Sequence, residues 1–151
     1  MICPCTQSRV PINALLFMRI PFVVGGRGYD GCDCYGLYRL VLLRCAGIEL
    51  PLYGQEYETL RETLKISTLI RTELGDDSWS MVVRGSEQPL DLAVASLDGA
   101  ASWHIGCVVR PGHMLHIERT NGHGPSVEPI WGVKWRDRII GIYRHRSLSC
   151  A

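Results

Sequence analysis

The chain has 151 residues, long enough to bury a core without help from metals or disulfides. Apolar residues make up 46% and charged residues 21%, which excludes the disordered, collagen-like and coiled-coil classes. Lys and Arg total 16 against 15 Asp and Glu, so no charge excess marks a nucleic-acid partner or a membrane surface.

Met1-Ile2-Cys3-Pro4-Cys5 has no basic leader, and the apolar stretch that follows is broken by Pro11, Asn13, Arg19 and Pro21. No secretory signal is expected, and no run reaches the roughly 20 apolar residues of a membrane span. Residues 1–151 read as one domain, with an N-terminal arm over 1–9 and a tail over 145–151. Pro11 predicts a helix over Ile12–Met18 that Pro21 closes. Gly25-Gly26-Arg27-Gly28-Tyr29-Asp30-Gly31 is too glycine-rich for regular structure and predicts a loop.

Asp33 predicts the cap of a helix from about Cys34 to Ala46, stopped by Gly47. Leu37, Leu40 and Val41 form its buried stripe. Residues 55–74 predict a second, exposed helix with Tyr57, Leu60 and Leu64 on one face. Its pairs Glu58/Arg61 and Glu62/Lys65 are three residues apart. From Trp79 the pattern turns to strands at 79–83, 90–97, 103–109, 114–119, 126–131 and 138–144, with a hairpin loop over Asn121–Pro125. Helices followed by strands predict an α+β fold with an antiparallel sheet.

Seven cysteines, an odd number, leave a complete disulfide framework impossible and point to reduced thiols. Cys34 stands out because it opens a helix, where free N–H groups and the helix dipole favour a thiolate. Such a thiol needs a base. His104 and His116 lie on consecutive strands joined by Arg110-Pro111-Gly112. A three-residue loop with Gly112 left-handed pairs 106 with 116 and 104 with 118. Both imidazoles then share a face, and Gly106 leaves room beside His116. A helix-start cysteine against a strand histidine, with a polar neighbour, is the layout of a cysteine hydrolase.

These residues resemble the NlpC-type cell-wall peptidases. Pro21-Phe22-Val23-Val24-Gly25-Gly26 and Gly31-Cys32-Asp33-Cys34-Tyr35-Gly36-Leu37 match the family's block around its nucleophile. Pro89-Leu90-Asp91 stands for the family's Pro-Gly-Asp, His104-Ile105-Gly106-Cys107 for its His-Val-Gly-Ile strand, and Met114-Leu115-His116-Ile117 for the strand after it. Tyr35 after the cysteine, and Gly47-Ile48-Glu49-Leu50-Pro51, look most like the branch found in tailed-phage tail tips.

The resemblance implies a papain-like fold, with N-terminal helices packed on a five- to six-stranded antiparallel sheet. It implies cleavage of an amide in peptidoglycan stem peptides, between the γ-carboxyl of D-glutamate and a diamino acid, without metal or cofactor. Cys34 is then nucleophile, His104 general base and His116 the orienting residue. It also implies synthesis in a bacterial cytoplasm, other tail-tip proteins as partners and a place in the virion. Phe22 stands where the family has a tyrosine near the oxyanion site. Tyr29 and Tyr35 are the nearby candidates to replace that hydroxyl, and with Phe22 and Asp33 they make up the expected substrate wall. Asp33 reads first as a helix cap.

Other readings compete. Cys3, Cys5, Cys32 and either Cys34 or His123 can be combined into a four-ligand zinc set, although Cys-x-Cys is tighter than the usual ligand spacing. Gly25-Gly26-Arg27-Gly28 lacks the ending of a nucleotide-phosphate loop. Trp79, Trp103, Trp131 and Trp135 read as core or interface aromatics. A tail-tip assembly subunit with this fold and little hydrolysis is the alternative to an enzyme, and Phe22 is the feature that favours it.

Overall fold

A computed structural model of the chain describes residues 9–53, 62–97, 103–119 and 124–148, with the side chains of 62–65 left aside. The first helix, α1 (Cys34–Ala46), begins where the Asp33 carboxylate accepts from the Gly36 N–H at 2.8 Å. It ends where Gly47 turns left-handed at φ 67°. Every residue from Cys34 to Leu42 is buried, so α1 has no solvent face over its first two turns. Even Arg39 is inside, its guanidinium donating to the Leu50 carbonyl at 2.8 Å and to Glu49 at 3.0 Å.

The glycine-rich segment before α1 is more regular than its composition predicts. Arg27–Gly28 (β1) and Gly31–Cys32 (β2) pair as a short antiparallel ribbon. Close packing explains its glycines. A Cβ on Gly26 would collide with the Gly31 carbonyl, and one on Gly36 with the Gly26 carbonyl. Over Ile12–Met18 the expected helix shortens to one 3-10 turn, Ala14–Leu16, because Asn13 caps it and its carboxamide takes the Leu15 N–H.

The second helix, α2 (Glu62–Leu74), is not an exposed one: Ser67, Leu69, Ile70 and Glu73 are buried. The stretch 54–61 lies outside the described residues, as do the side chains of 62–65, so neither the Glu58/Arg61 nor the Glu62/Lys65 pair is described. Six strands follow: β3 (Trp79–Val82), β4 (Leu92–Ser96), β5 (Trp103–Arg110), β6 (His113–His116), β7 (Ser126–Pro129) and β8 (Ile139–His145). They form one antiparallel sheet in the order β3-β8-β4-β5-β6-β7. The fold is α+β, as the order of elements predicts. Among the described residues no helix is long and apolar enough to cross a membrane.

Both faces of the sheet are covered. Odd-numbered side chains of β5, such as Ile105 and Cys107, join the helices in a cluster with Leu37, Val41 and Ile70. Even-numbered Val108 joins Met114, Ile130, Ile142 and Trp135 on the opposite face, under the turn-rich segment before β8. Trp135 is 1% exposed. Burying a side chain of that size stabilises the fold by about 2–3 kcal/mol, so the segment is a true second layer.

Asp91 closes the structure just before β4. Its fully buried carboxylate accepts from Arg9 at 2.8 Å, from Arg144 at 2.8 and 2.7 Å, and from the Gln88 N–H at 2.8 Å. Arg9, the last residue of the expected N-terminal arm, is thereby tied to the sheet, and it also donates to the Pro89 and Leu148 carbonyls. His145, expected in a tail, ends β8. Asp91→Ala is expected to destabilise the fold by about 3 kcal/mol or more, because two partly buried guanidiniums lose their counter-charge. Urea melts against the unsubstituted chain check this. Leu90, where the resembled family has glycine, adopts φ 78° while 7% exposed; its left-handed backbone explains why glycine suits the position.

Candidate active site

The β5–β6 hairpin sets the site. Cys107 pairs with Leu115 and Val108 with Met114, a register that continues to Gly106 opposite His116. The turn itself is shorter than predicted. Arg110 pairs with His113, so Pro111-Gly112 is a two-residue connection, Gly112 taking φ 80°. A bulge between Val108 and Arg110 absorbs the odd residue and restores the parity that puts both imidazoles on one face. The room expected beside Gly106 is filled by Met114, whose sulfur would lie 2.7 Å from an added Cβ.

His104 Nε2 and His116 Nδ1 are 3.0 Å apart, and both rings are buried. On its other side His116 Nε2 is 2.6 Å from Glu128 Oε2. Trp135 Nε1–H donates to the same oxygen at 2.6 Å, and the Trp135 ring stacks on His104 at 5.6 Å and 15°. Lys134 lies 3.2 Å from both Glu118 and Glu128.

This network sets the tautomers. Burial by itself would raise the Glu128 carboxyl, but hydrogen bonding from Trp135, with His116 and Lys134 nearby, holds it below its ordinary value. The carboxylate can only accept, so His116 donates from Nε2 and its Nδ1 is a lone pair. His104 must then donate from Nε2 to that lone pair, which leaves His104 Nδ1 unprotonated. A base nitrogen is the end of the chain. Burial, then the neighbouring His116 and Lys134, pushes His104 down to about 3, and burial also lowers His116 despite Glu128 and Glu118. Both rings are neutral at pH 7.

Cys34 sits in the first turn of α1, 3% exposed, in the helix-side cluster. Its sulfur meets β5 at the Ile105 N–H, one residue from His104. The expectation of a thiolate is not met. Burial, followed by the adjacent Asp33 charge, pushes the thiol up to about 12, outweighing the N–H groups of Ile105 and Tyr35. Among the described residues Cys34 makes no hydrogen bond to either imidazole, whose rings lie toward Trp135. At rest the site holds a neutral thiol and neutral imidazoles.

The expected wall residues separate. Phe22 is half-buried and lines a cleft of about 370 Å³ with Pro21, Val24, Glu118, Arg119 and Gly124. Glu118 links that cleft to the histidines, its Oε1 lying 3.5 Å from His116 Nδ1. Tyr35 is buried and its hydroxyl donates to the Pro51 carbonyl at 2.7 Å, so it has no donor left for a substrate. Tyr29 is 52% exposed and stacks on Phe17. Asp33 is occupied as cap and as partner of Arg27 at 2.9 Å. Of the alternative zinc set, Cys3, Cys5 and His123 lie outside the described residues, while Cys32 and Cys34 are buried free thiols.

Glu128, Trp135, Lys134 and Glu118 escape the sequence reading. One signal was there: Val127 packs with the helix-side cluster, so Glu128 and Ser126 alternate onto the histidine face. The register of β7 against β6, which the expected loop over Asn121–Pro125 does not by itself fix, decides which residue meets His116.

No protein-family model matches the chain, and no curated protein matches it in sequence. Solved structures do. The NlpC/p60 domain of the peptidoglycan hydrolase SagA superposes with a TM-score of 0.56 at 18% identity, covering 87% of this chain and 92% of that one. The chain has the fold of NlpC/P60 domains. A Staphylococcus aureus NLP/P60-family protein, similar to lipoprotein, gives 0.59 at 21% identity, and NlpC2 from Trichomonas vaginalis gives 0.61 at 18%. Each again covers 87% of this chain, which spans only 38% and 44% of those two longer proteins.

Proposed function

We propose that the protein is a cysteine endopeptidase that cleaves an amide bond in peptidoglycan stem peptides. The observation that carries the reading is the chain Glu128–His116–His104, which ends in an unprotonated nitrogen on the strand whose Ile105 N–H meets the Cys34 sulfur. The fold shared with NlpC/P60 domains supports the substrate class.

In this mechanism Cys34 attacks the carbonyl carbon as its proton passes to His104 Nδ1. The tetrahedral oxyanion takes a hydrogen bond from the Cys34 backbone N–H at the start of α1. Collapse expels the amine, which leaves with the proton from His104, and a thioester remains. Water, deprotonated by His104, then releases the acid and restores the thiol. A buried neutral thiol makes the proton transfer part of the attack. Substrate binding must bring thiol and imidazole into direct contact, as catalytic hydrogen bonds commonly tighten only in the complex.

The bond assigned is the one between the γ-carboxyl of D-glutamate and the diamino acid. Glu118 and Arg119 put both charges on the cleft wall, suited to a peptide that carries carboxylates and an amine. Use at a phage tail tip, beside other tail proteins in the virion, belongs to the same proposal. Purified peptidoglycan digested by the chain and read by mass spectrometry tests it: fragments cut at that amide support the reading, and intact stem peptides reject it.

Phe22 favours a second reading, an assembly subunit with weak hydrolysis, because it brings no hydroxyl to the cleft. Phe22→Tyr is therefore expected to raise kcat by about tenfold or more, since one oxyanion donor is worth 100-fold or more elsewhere. Steady-state kinetics on a stem peptide measure it. An unchanged kcat would leave that position without a catalytic part.

A further inference from the structure

We propose that His104, His116 and Glu118 form a zinc-binding site that switches the hydrolase off. The proposal rests on the histidine cluster used above but concerns a ligand of its own. His104 Nε2, His116 Nδ1 and a Glu118 carboxylate oxygen all lie within 4.8 Å of one another. Two of the separations are 3.0 and 3.5 Å. Ligand atoms about 2.0–2.1 Å from a tetrahedral zinc stand about 3.3 Å apart, close to the two separations that His116 Nδ1 makes, and a turn of the Glu118 carboxylate sets the third.

Three further features fit. Two imidazole nitrogens and a carboxylate make a donor set suited to zinc rather than to magnesium or calcium. Glu128 holds His116 from behind through Nε2, the carboxylate–histidine support that ligating histidines generally have. Glu118 also lines the open cleft, so an ion would enter at the most exposed of the three ligands.

Lys134 opposes binding. It faces Glu118 and Glu128, and it must release Glu118 for the carboxylate to turn to the ion. At 45% side-chain exposure it can move into solvent.

The proton inventory explains the inhibition. His116 Nδ1 is already a lone pair. His104 carries its proton on Nε2 and must shift it to Nδ1 to ligate, so no proton is released from the ring overall. Nδ1 is the nitrogen assigned to accept from Cys34. An ion on Nε2 therefore removes the base without touching the sulfur.

The full chain, freed of metal, is titrated with cobalt(II), followed by its visible absorption, and dialysed against zinc. About one equivalent is expected, with cobalt absorption of tetrahedral type. Cys34→Ala should keep the equivalent. Glu118→Gln should weaken binding by about tenfold or more, and Lys134→Met should tighten it. His116→Ala should abolish it, with circular dichroism checking the fold, and Glu118→Gln provides the same test should that variant unfold. No bound metal in the unsubstituted chain overturns the proposal. So does binding lost in Cys34→Ala but kept in Glu118→Gln, which places the ion on the thiol. Binding is read without substrate, so a metal-free chain that cuts no peptidoglycan would end the hydrolase reading and the switch with it while leaving the zinc site standing; cleavage by the metal-free chain that one equivalent of zinc fails to stop would overturn the switch alone.

Discussion

Cys34→Ala is expected to abolish stem-peptide cleavage, by at least about 10⁴-fold, while the chain still folds. Removing the nucleophile of a comparable triad enzyme costs about 10⁶-fold, and only transition-state binding by the remaining groups is left. The structural cost is small. The lost sulfur leaves a void of about one atom beside Ile105, worth about 1 kcal/mol, and Asp33 still caps α1. Cleavage assays paired with thermal melts separate the two effects. Normal cleavage by Cys34→Ala would remove the thiol from the mechanism. If the protein serves a tail tip, particles carrying Cys34→Ala should assemble and fail only at the cell wall; failure of assembly would favour the scaffold role.

Glu128→Gln should also be damaging, lowering kcat by about 10- to 100-fold with little change in KM. Trp135 Nε1–H and His116 Nε2–H both donate to Oε2, so the amide oxygen stays at that position and its NH₂ turns toward Lys134. The tautomers are kept. What is lost is the negative charge that steadies the imidazolium formed when His104 takes the Cys34 proton, a share of the roughly 10²- to 10⁴-fold that general acid–base catalysis contributes. The pH profile separates this from a loss of the base. His104 is held at about 3, so activity should be level through neutral pH and fall only as pH drops toward that value. Removing the Glu128 charge lowers the imidazoles further, so the Gln variant should be slow at every pH, with no new limb near neutrality.

The same burial predicts acid sensitivity. His104 titrates near 6.5 when unfolded and about 3 when folded, so the unfolded chain binds the extra proton between those values. Stability is fully present above about pH 6.5 and declines as pH falls from there toward 3.

Local rules carried much of the fold into view. Asp33 and Gly47 mark α1 because caps act through one or two side chains. Alternation on β5 and β6 brings His104 and His116 to one face even though the turn between them has two residues, since the bulge restores parity. What was hidden is tertiary. The ribbon Arg27–Cys32 depends on glycines packed against carbonyls from other turns. The burial of α2 depends on which strands it meets. Cys34 illustrates the limit most sharply. A helix start favours a thiolate, but burial and the neighbouring Asp33 outweigh it, and only the assembled core reveals both. Glu128 and Trp135 are invisible for the same reason, as the register of β7 and the fold of the turns after it bring them to the histidines they hold.

The tautomer chain is the central claim, and long-range ¹H–¹⁵N NMR of the imidazole rings at pH 7 tests it most directly. Both His104 and His116 should show a proton on Nε2 and a lone pair on Nδ1. A proton on Nδ1 of His116, or a charged ring at either position, would contradict the account.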